Sequence, residues 1–192
     1  MHRVVAACKE MALKPIGSYA ERFAQISLEE YLADDPPAVL LQDAASGSFQ
    51  PVGDEPGDTL FRVEPTPDPG DSGLDLSRGS LPKDQAYIVV PLDPAEAGAR
   101  PRLVLGCAEH CDLRIADGSI SREHALLERK GDDYWLEDEN STTGTRVNDD
   151  PLSPGEPQML VNGDRITFGT VTLTFLEPDA FYGFVCSFLE LG

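Results

Sequence analysis

The stretch Gly106-Cys107-Ala108-Glu109-His110-Cys111-Asp112-Leu113-Arg114-Ile115-Ala116-Asp117-Gly118-Ser119-Ile120-Ser121-Arg122-Glu123-His124 decides the fold. It places a strand-like run, Asp112–Ile115, between two polar clusters, with an Asp-Gly turn signal at 117–118. The same rhythm continues downstream. Runs of strand character occupy 125–128, 134–137, 145–147, 165–168 and 171–176, and upstream 86–92 and 102–105. Turn chemistry separates them at Gly131-Asp132, Asn148-Asp149-Asp150-Pro151 and Asn162-Gly163. Many short strands at such spacing, with no helical pattern between them, predict an all-β sandwich or barrel.

Outside this core the composition changes twice. Residues 1–41 have helical character. Ser18-x-x-Glu21 and Ser27-x-x-Glu30 both match a capping box. Tyr19, Phe23, Ile26 and Leu28 fall near one helical face, Tyr31 and Leu32 on the next turn. Lys14-Pro15 should end any earlier helix, and Pro36-Pro37 should stop this one. Ala38–Leu41 is a brief apolar run that could add a strand. Residues 42–85 hold six prolines and six glycines among scattered acids. So little apolar area is available to offset ordering entropy that this segment reads as a linker. Residues 178–192 are dense in Phe, Tyr, Val and Leu and predict an amphipathic helix, with Asp179 as its N-cap. Its apolar face should pack on the sandwich and the N-terminal helix, or else bind a partner.

The charge bounds the partners. With 34 acidic and 15 basic residues the formal net charge is −19. Nucleic acid is a poor partner for such a chain, because the phosphate backbone needs clustered Lys and Arg. The same charge argues against anionic membrane surfaces. No apolar run approaches the ~18 residues of a membrane span, and the first residues lack the apolar stretch of an export signal. The four cysteines, Cys8, Cys107, Cys111 and Cys186, are scattered, which fits a reducing cytoplasm better than a disulfide framework. Cys107, His110, Cys111 and His124 do not have the spacing of a closed metal site, so no metal is expected. No nucleophile stands at a telling spacing from a base, so no catalytic residue is assigned, and no cofactor motif is present.

The polar clusters in order are Gly106, Ser121-Arg122-Glu123-His124, Ser141-Thr142-Thr143-Gly144-Thr145, Asn162-Gly163-Asp164 and Phe168-Gly169. This succession resembles the forkhead-associated (FHA) domain over roughly half the chain. The resemblance implies an FHA-like β-sandwich of about eleven short strands between residues 86 and 177, flanked by the helical extensions. It implies loops at one end that read phosphothreonine in a protein partner. Ser121 matches the serine that donates to a phosphate oxygen, although an ordinary turn serine would look the same. Arg122 matches a position that often carries charge near the phosphate, with a solvated surface arginine as the alternative. Thr142 matches a phosphate contact through hydroxyl or backbone N–H. His124, Gly106 and Gly144 match residues that support the loops.

Two positions depart from the pattern. The family usually places its phosphate-gripping arginine directly after the first glycine, where this chain has Cys107. It usually has asparagine where this chain has Thr143, whose shorter hydroxyl cannot make the same two-point contact with a peptide backbone. An arginine–phosphate pair comprises charge-assisted bonds of roughly 1.5–3 kcal/mol each. Between residues 101 and 176 seven basic residues face fourteen acidic ones, so general attraction does not replace it. The expectation is a module that binds a protein partner with little or no phosphate dependence. A working phosphothreonine reader, with Arg122 or Arg102 supplying the charge, is the alternative.

Overall fold

The computed structural model describes residues 14–34, 36–43, 49–51, 61–63, 87–92 and 102–189. Among these residues fourteen strands form two sheets of seven. They are β1 (Lys14–Pro15), β2 (Val39–Asp43), β3 (Phe49–Pro51), β4 (Phe61–Val63), β5 (Tyr87–Pro91), β6 (Arg102–Gly106) and β7 (Leu113–Ala116), followed by β8 (Ala125–Lys130), β9 (Asp133–Asp138), β10 (Thr145–Val147), β11 (Asp150–Pro151), β12 (Gln158–Leu160), β13 (Arg165–Phe168) and β14 (Val171–Leu176). The helices are α1 (Ile16–Phe23), α2 (Leu28–Ala33) and α3 (Pro178–Leu189). One sheet runs β1-β5-β2-β14-β13-β10-β11 and the other β12-β9-β8-β6-β7-β4-β3. Pairing is antiparallel except where β7 lies parallel to β6 and to β4.

The sandwich core follows from period-2 burial. Leu103 and Leu105 of β6, Ala125 and Leu127 of β8, Tyr134 and Leu136 of β9, Ile166 and Phe168 of β13, and Val171, Leu173 and Phe175 of β14 all point between the sheets. The Tyr134 hydroxyl ties the layers together. It accepts from Ala38 N–H at 3.1 Å and donates to the Leu92 carbonyl at 3.4 Å.

The run Val39-Leu40-Leu41 is apolar without alternation because β2 is covered on both faces. Leu40 enters the core between the sheets, whereas Val39 and Leu41 enter a second cluster outside it. That second cluster joins Phe23, Tyr31, Leu176, Phe181, Phe184 and Val185, so the helices form a third layer on the outer face of one sheet. Its rings meet closely. Tyr19 and Phe181 are 5.0 Å apart edge to face, and Phe23 and Tyr182 are 4.9 Å apart. The Tyr182 hydroxyl donates to the Ile26 carbonyl at 2.7 Å. The intramolecular packing of the tail on the N-terminal helices is thus present.

Several details differ from the sequence reading. The expected boundary between residues 41 and 42 falls inside β2, because its pairing with β5 runs through Gln42 and Asp43. Most of the expected linker 42–85 lies outside the described residues, and its described parts beyond β2 are β3 and β4. The sheets therefore draw on strands before residue 86, and the strand count exceeds eleven. Strand β12 had no legible signal, being three residues with an exposed Gln and Met at its start.

The helix at 19–32 is two helices. The capping box at Ser27 is formed, with Glu30 N–H donating to Ser27 Oγ at 3.2 Å and Ser27 N–H to Glu30 Oε2 at 2.8 Å. Starting a new helix there turns Leu28 and Leu32 outward, where both remain exposed. Ser18 lies inside α1, which begins two residues earlier at Ile16, rather than at the helix N-cap position. Likewise α3 opens on Pro178, the residue preset for a first helical position, so Asp179 lies in the first turn rather than at the cap.

Candidate functional site

The loops after β6, β7 and β9 meet at one end of the sandwich. Gly106 begins the assembly. Cys107 N–H donates to the Ser121 carbonyl at 3.0 Å, and Ala108 N–H to the Arg122 carbonyl at 3.1 Å. A Cβ on Gly106 would lie 2.2 Å from the Arg122 oxygen, so only glycine permits this backbone contact.

His124 holds the second junction. Its side chain is fully buried and edges against Phe168. Ser121 N–H donates to Nδ1 at 3.0 Å, which leaves the ring proton on Nε2, facing the Gly144 carbonyl at 3.3 Å. Burial lowers the His124 pKa below the ordinary histidine value, against opposing contributions from Gly144 and Asp138. Both ring nitrogens are engaged, one with the Ser121 backbone and one with that of Gly144.

The third loop is organised from below by Asp138. Its buried carboxylate accepts from Ser141 N–H at 2.9 Å, Ser141 Oγ at 2.7 Å and Thr145 Oγ1 at 2.6 Å. Burial alone would raise its pKa, but the hydrogen bonds from Thr145 and Ser141 bring it below the usual aspartate value. Ser141 Oγ in turn accepts from Gly144 N–H at 3.0 Å, and Gly144 adopts φ 81°, the left-handed region that favours glycine. The sequence reading missed Asp138. An acid at the end of a strand, followed by Ser141 and Thr145, was its available signal.

The structure brings Ser121 and Thr142 together. Thr142 N–H donates to Ser121 Oγ at 2.9 Å, and Ser121 Oγ lies 3.4 Å from Thr142 Oγ1. Thr143 turns its hydroxyl away, donating to the Ser119 carbonyl at 2.7 Å. Cys107 is half-buried and packs its side chain against the core between the sheets. Arg102 is remote from the loops in bonding terms, since it pairs with Glu128 at 3.1 Å. Asn148 is a turn residue at φ 52°, its amide donating to Asp164 at 2.7 Å.

One arginine overlooked in the sequence stands beside the departed position. Arg114, on β7, donates from Nε to the Cys107 carbonyl at 3.2 Å. It lines an open depression of about 520 Å³ together with Cys107, Ala108, Glu109, His110 and Arg122. His110 and Glu123 are paired at 2.6 Å. The signal for Arg114 was its place in a strand whose partner, β6, ends at Gly106.

This arrangement, with a glycine-dependent backbone junction, a buried histidine between two loops and a serine–threonine contact at the tip, is that of an FHA domain. The FHA domain family model matches residues 103–169. The oxoglutarate dehydrogenase inhibitor of Corynebacterium jeikeium is 37% identical over 102 residues, which is 50% of this chain and 68% of that protein. The chain belongs to the FHA family. The glycogen accumulation regulator GarA of Mycolicibacterium smegmatis is 33% identical over 101 residues, 50% of this chain and 61% of that protein. A solved structure, the FhaA FHA domain complexed with the intracellular domain of Rv3910, is 29% identical over 40% of this chain and 80% of that one, with a TM-score of 0.37. As an FHA module the chain is built for protein interaction. Among its described residues no helix is long and apolar enough to cross a membrane.

Proposed function

We propose that the loop end of this FHA module binds a protein partner with little dependence on threonine phosphorylation, and that the chain acts through binding rather than catalysis, in the cytoplasm. The observation that carries this reading is the fate of the ligand positions. Where the family offers an arginine, the Cys107 side chain packs on the core. The Thr143 hydroxyl is spent on the Ser119 carbonyl, and the Thr142 N–H on Ser121 Oγ. A phosphate entering here would have to break a bond already made and would meet no cation at position 107, so its net gain is small. The non-enzymatic reading is supported by His124, whose two ring nitrogens both serve the loops.

Fluorescence anisotropy with matched peptide libraries, one carrying threonine and one phosphothreonine, tests the proposal. The expected preference for the phosphorylated form is below about tenfold, or ~1.4 kcal/mol. A preference of a hundredfold or more would establish the competing reading, a working phosphothreonine reader. Arg114 and Arg122 beside Cys107 are the feature that favours that alternative.

A further inference from the structure

The outer faces of the two sheets differ. All three helices join the cluster that covers one of them. On the other sheet a strand with one solvated face should turn polar side chains outward. Instead Val104, Leu126 and Trp135 point outward from β6, β8 and β9 and are partly exposed. Met159 and Val161, on and just after β12, are 43% and 51% exposed. The pairing register sets Arg102 opposite Glu128, Glu128 opposite Trp135 and Trp135 opposite Met159, in one row across four strands. Val104, Leu126 and Glu137 form the next row. Arg102 opens β6 and Lys130 closes β8, so both stand at the end of the sandwich away from the recognition loops.

The row around Trp135 has more donors than acceptors. Glu128 is its one carboxylate and is shared, by Lys130 Nζ at 3.0 Å and Arg102 Nε at 3.1 Å. Those two partners, Lys130 foremost, hold its pKa below the usual glutamate value. The Lys130 ammonium also stands 5.3 Å from the centre of the Trp135 ring. Both cations keep about half of their side-chain surface exposed. The Trp135 indole N–H has no acceptor among the described residues. Asp133 and Glu137 flank Trp135 along its own strand, so the cationic side of the face is that of β6 and β8. Tryptophan, methionine and arginine are the side chains that concentrate in the centres of protein interfaces.

We propose that this sheet face is a second docking surface, which takes a segment of a partner protein carrying a carboxylate beside an apolar side chain. The apolar group lies on Trp135 and Met159, and the carboxylate accepts from Arg102, Lys130 and the Trp135 indole. Burial of the apolar group supplies affinity. The carboxylate balances two cations that have only Glu128 between them, which sets the sign of the partner's charge. Nothing in this contact calls for a phosphate, and it is independent of what the loop end binds.

Trp135 is the only tryptophan of the chain, so its fluorescence reports on this face alone and the loop-end reading stands or falls separately. The test titrates the full chain, at constant ionic strength, with the terminally blocked peptide Gly-Glu-Phe-Glu-Leu-Gly. Three control peptides replace its glutamates by glutamine, its glutamates by lysine, or its Phe and Leu by glycine. A saturable change in Trp135 emission is expected with the first peptide, with binding at least about fivefold weaker for each control. Met159→Ser and Lys130→Gln, both at exposed side chains, should each weaken it about five- to tenfold. Arg146→Gln, exposed on β10 of the other sheet, should leave it unchanged. No saturable response, equal binding of the glutamine or lysine peptide, or indifference to Met159→Ser and Lys130→Gln would overturn the proposal. Sedimentation velocity of the protein alone covers the remaining occupant. A doubled mass that Met159→Ser returns to a monomer would assign the face to a second copy of the chain and overturn the partner segment.

Discussion

Replacing Phe181 by alanine tests whether the helical layer is part of the folded unit. Its ring is fully buried, 5.0 Å from the Tyr19 ring and 5.8 Å from that of Phe23. It shares its cluster with Val39, Leu41 and Leu176 of the sheet beneath. Removing a buried phenyl ring loses its transfer free energy and leaves a cavity, together about 3–5 kcal/mol. In a chain of this size each kcal/mol lowers Tm by roughly 2–4 °C, so the midpoint should fall by about 6–20 °C. Differential scanning calorimetry reads this directly. Leu32→Ala is the internal control, because Leu32 is 41% exposed and its loss should cost under about 1 kcal/mol. An unchanged midpoint for Phe181→Ala would refute the reasoning. It would mean that the helices are not part of the cooperative unit and that their apolar face serves a partner, in which case deleting residues 180–192 would abolish partner binding without lowering Tm.

Three further outcomes are expected. Cys107→Arg should strengthen phosphothreonine-peptide binding about ten- to hundredfold by calorimetry, from one charge-assisted contact of roughly 1.5–3 kcal/mol; no gain would place the defect in Thr143 and its bond to Ser119 as well. The depressed pKa of His124 means that the folded state keeps the neutral ring while the unfolded chain binds a proton. Its stabilisation is therefore complete above the unfolded value near 6.5 and is lost as pH falls from there through the lower folded value, by at most about 1.4 kcal/mol per pH unit. Urea midpoints between pH 7.5 and 5 should show this slope in the wild type and not in His124→Gln. Finally, iodoacetamide at pH 8 should label half-exposed Cys107 well before Cys111, whose buried thiol is pushed up to about 11; mass spectrometry of the native protein reads the order.

The sequence by itself determined the sandwich and the identity of its loops. Strands such as β10, β13 and β14 were legible to the residue because a half-buried strand must alternate and its turns need Gly, Asn or Asp. Gly106 and His124 drew attention through the family resemblance, and the structure places them where close backbone contact and a buried two-sided hydrogen bond each admit few residue types. What only the tertiary structure decided are the relations between segments distant in sequence. The continuous apolar run at Val39–Leu41 means a strand in one frame and a helix in another. It became β2 because the sheet could cover one face and the α1–α3 layer the other. In the sequence Arg114 was only one basic residue within a strand-like run. Its significance arises because β7 lies parallel to β6, which sets its guanidinium against the carbonyl of Cys107. Local preference depends on neighbours in the chain, whereas burial on a second face and the meeting of two side chains depend on neighbours in space, and those exist only once the sheets have paired.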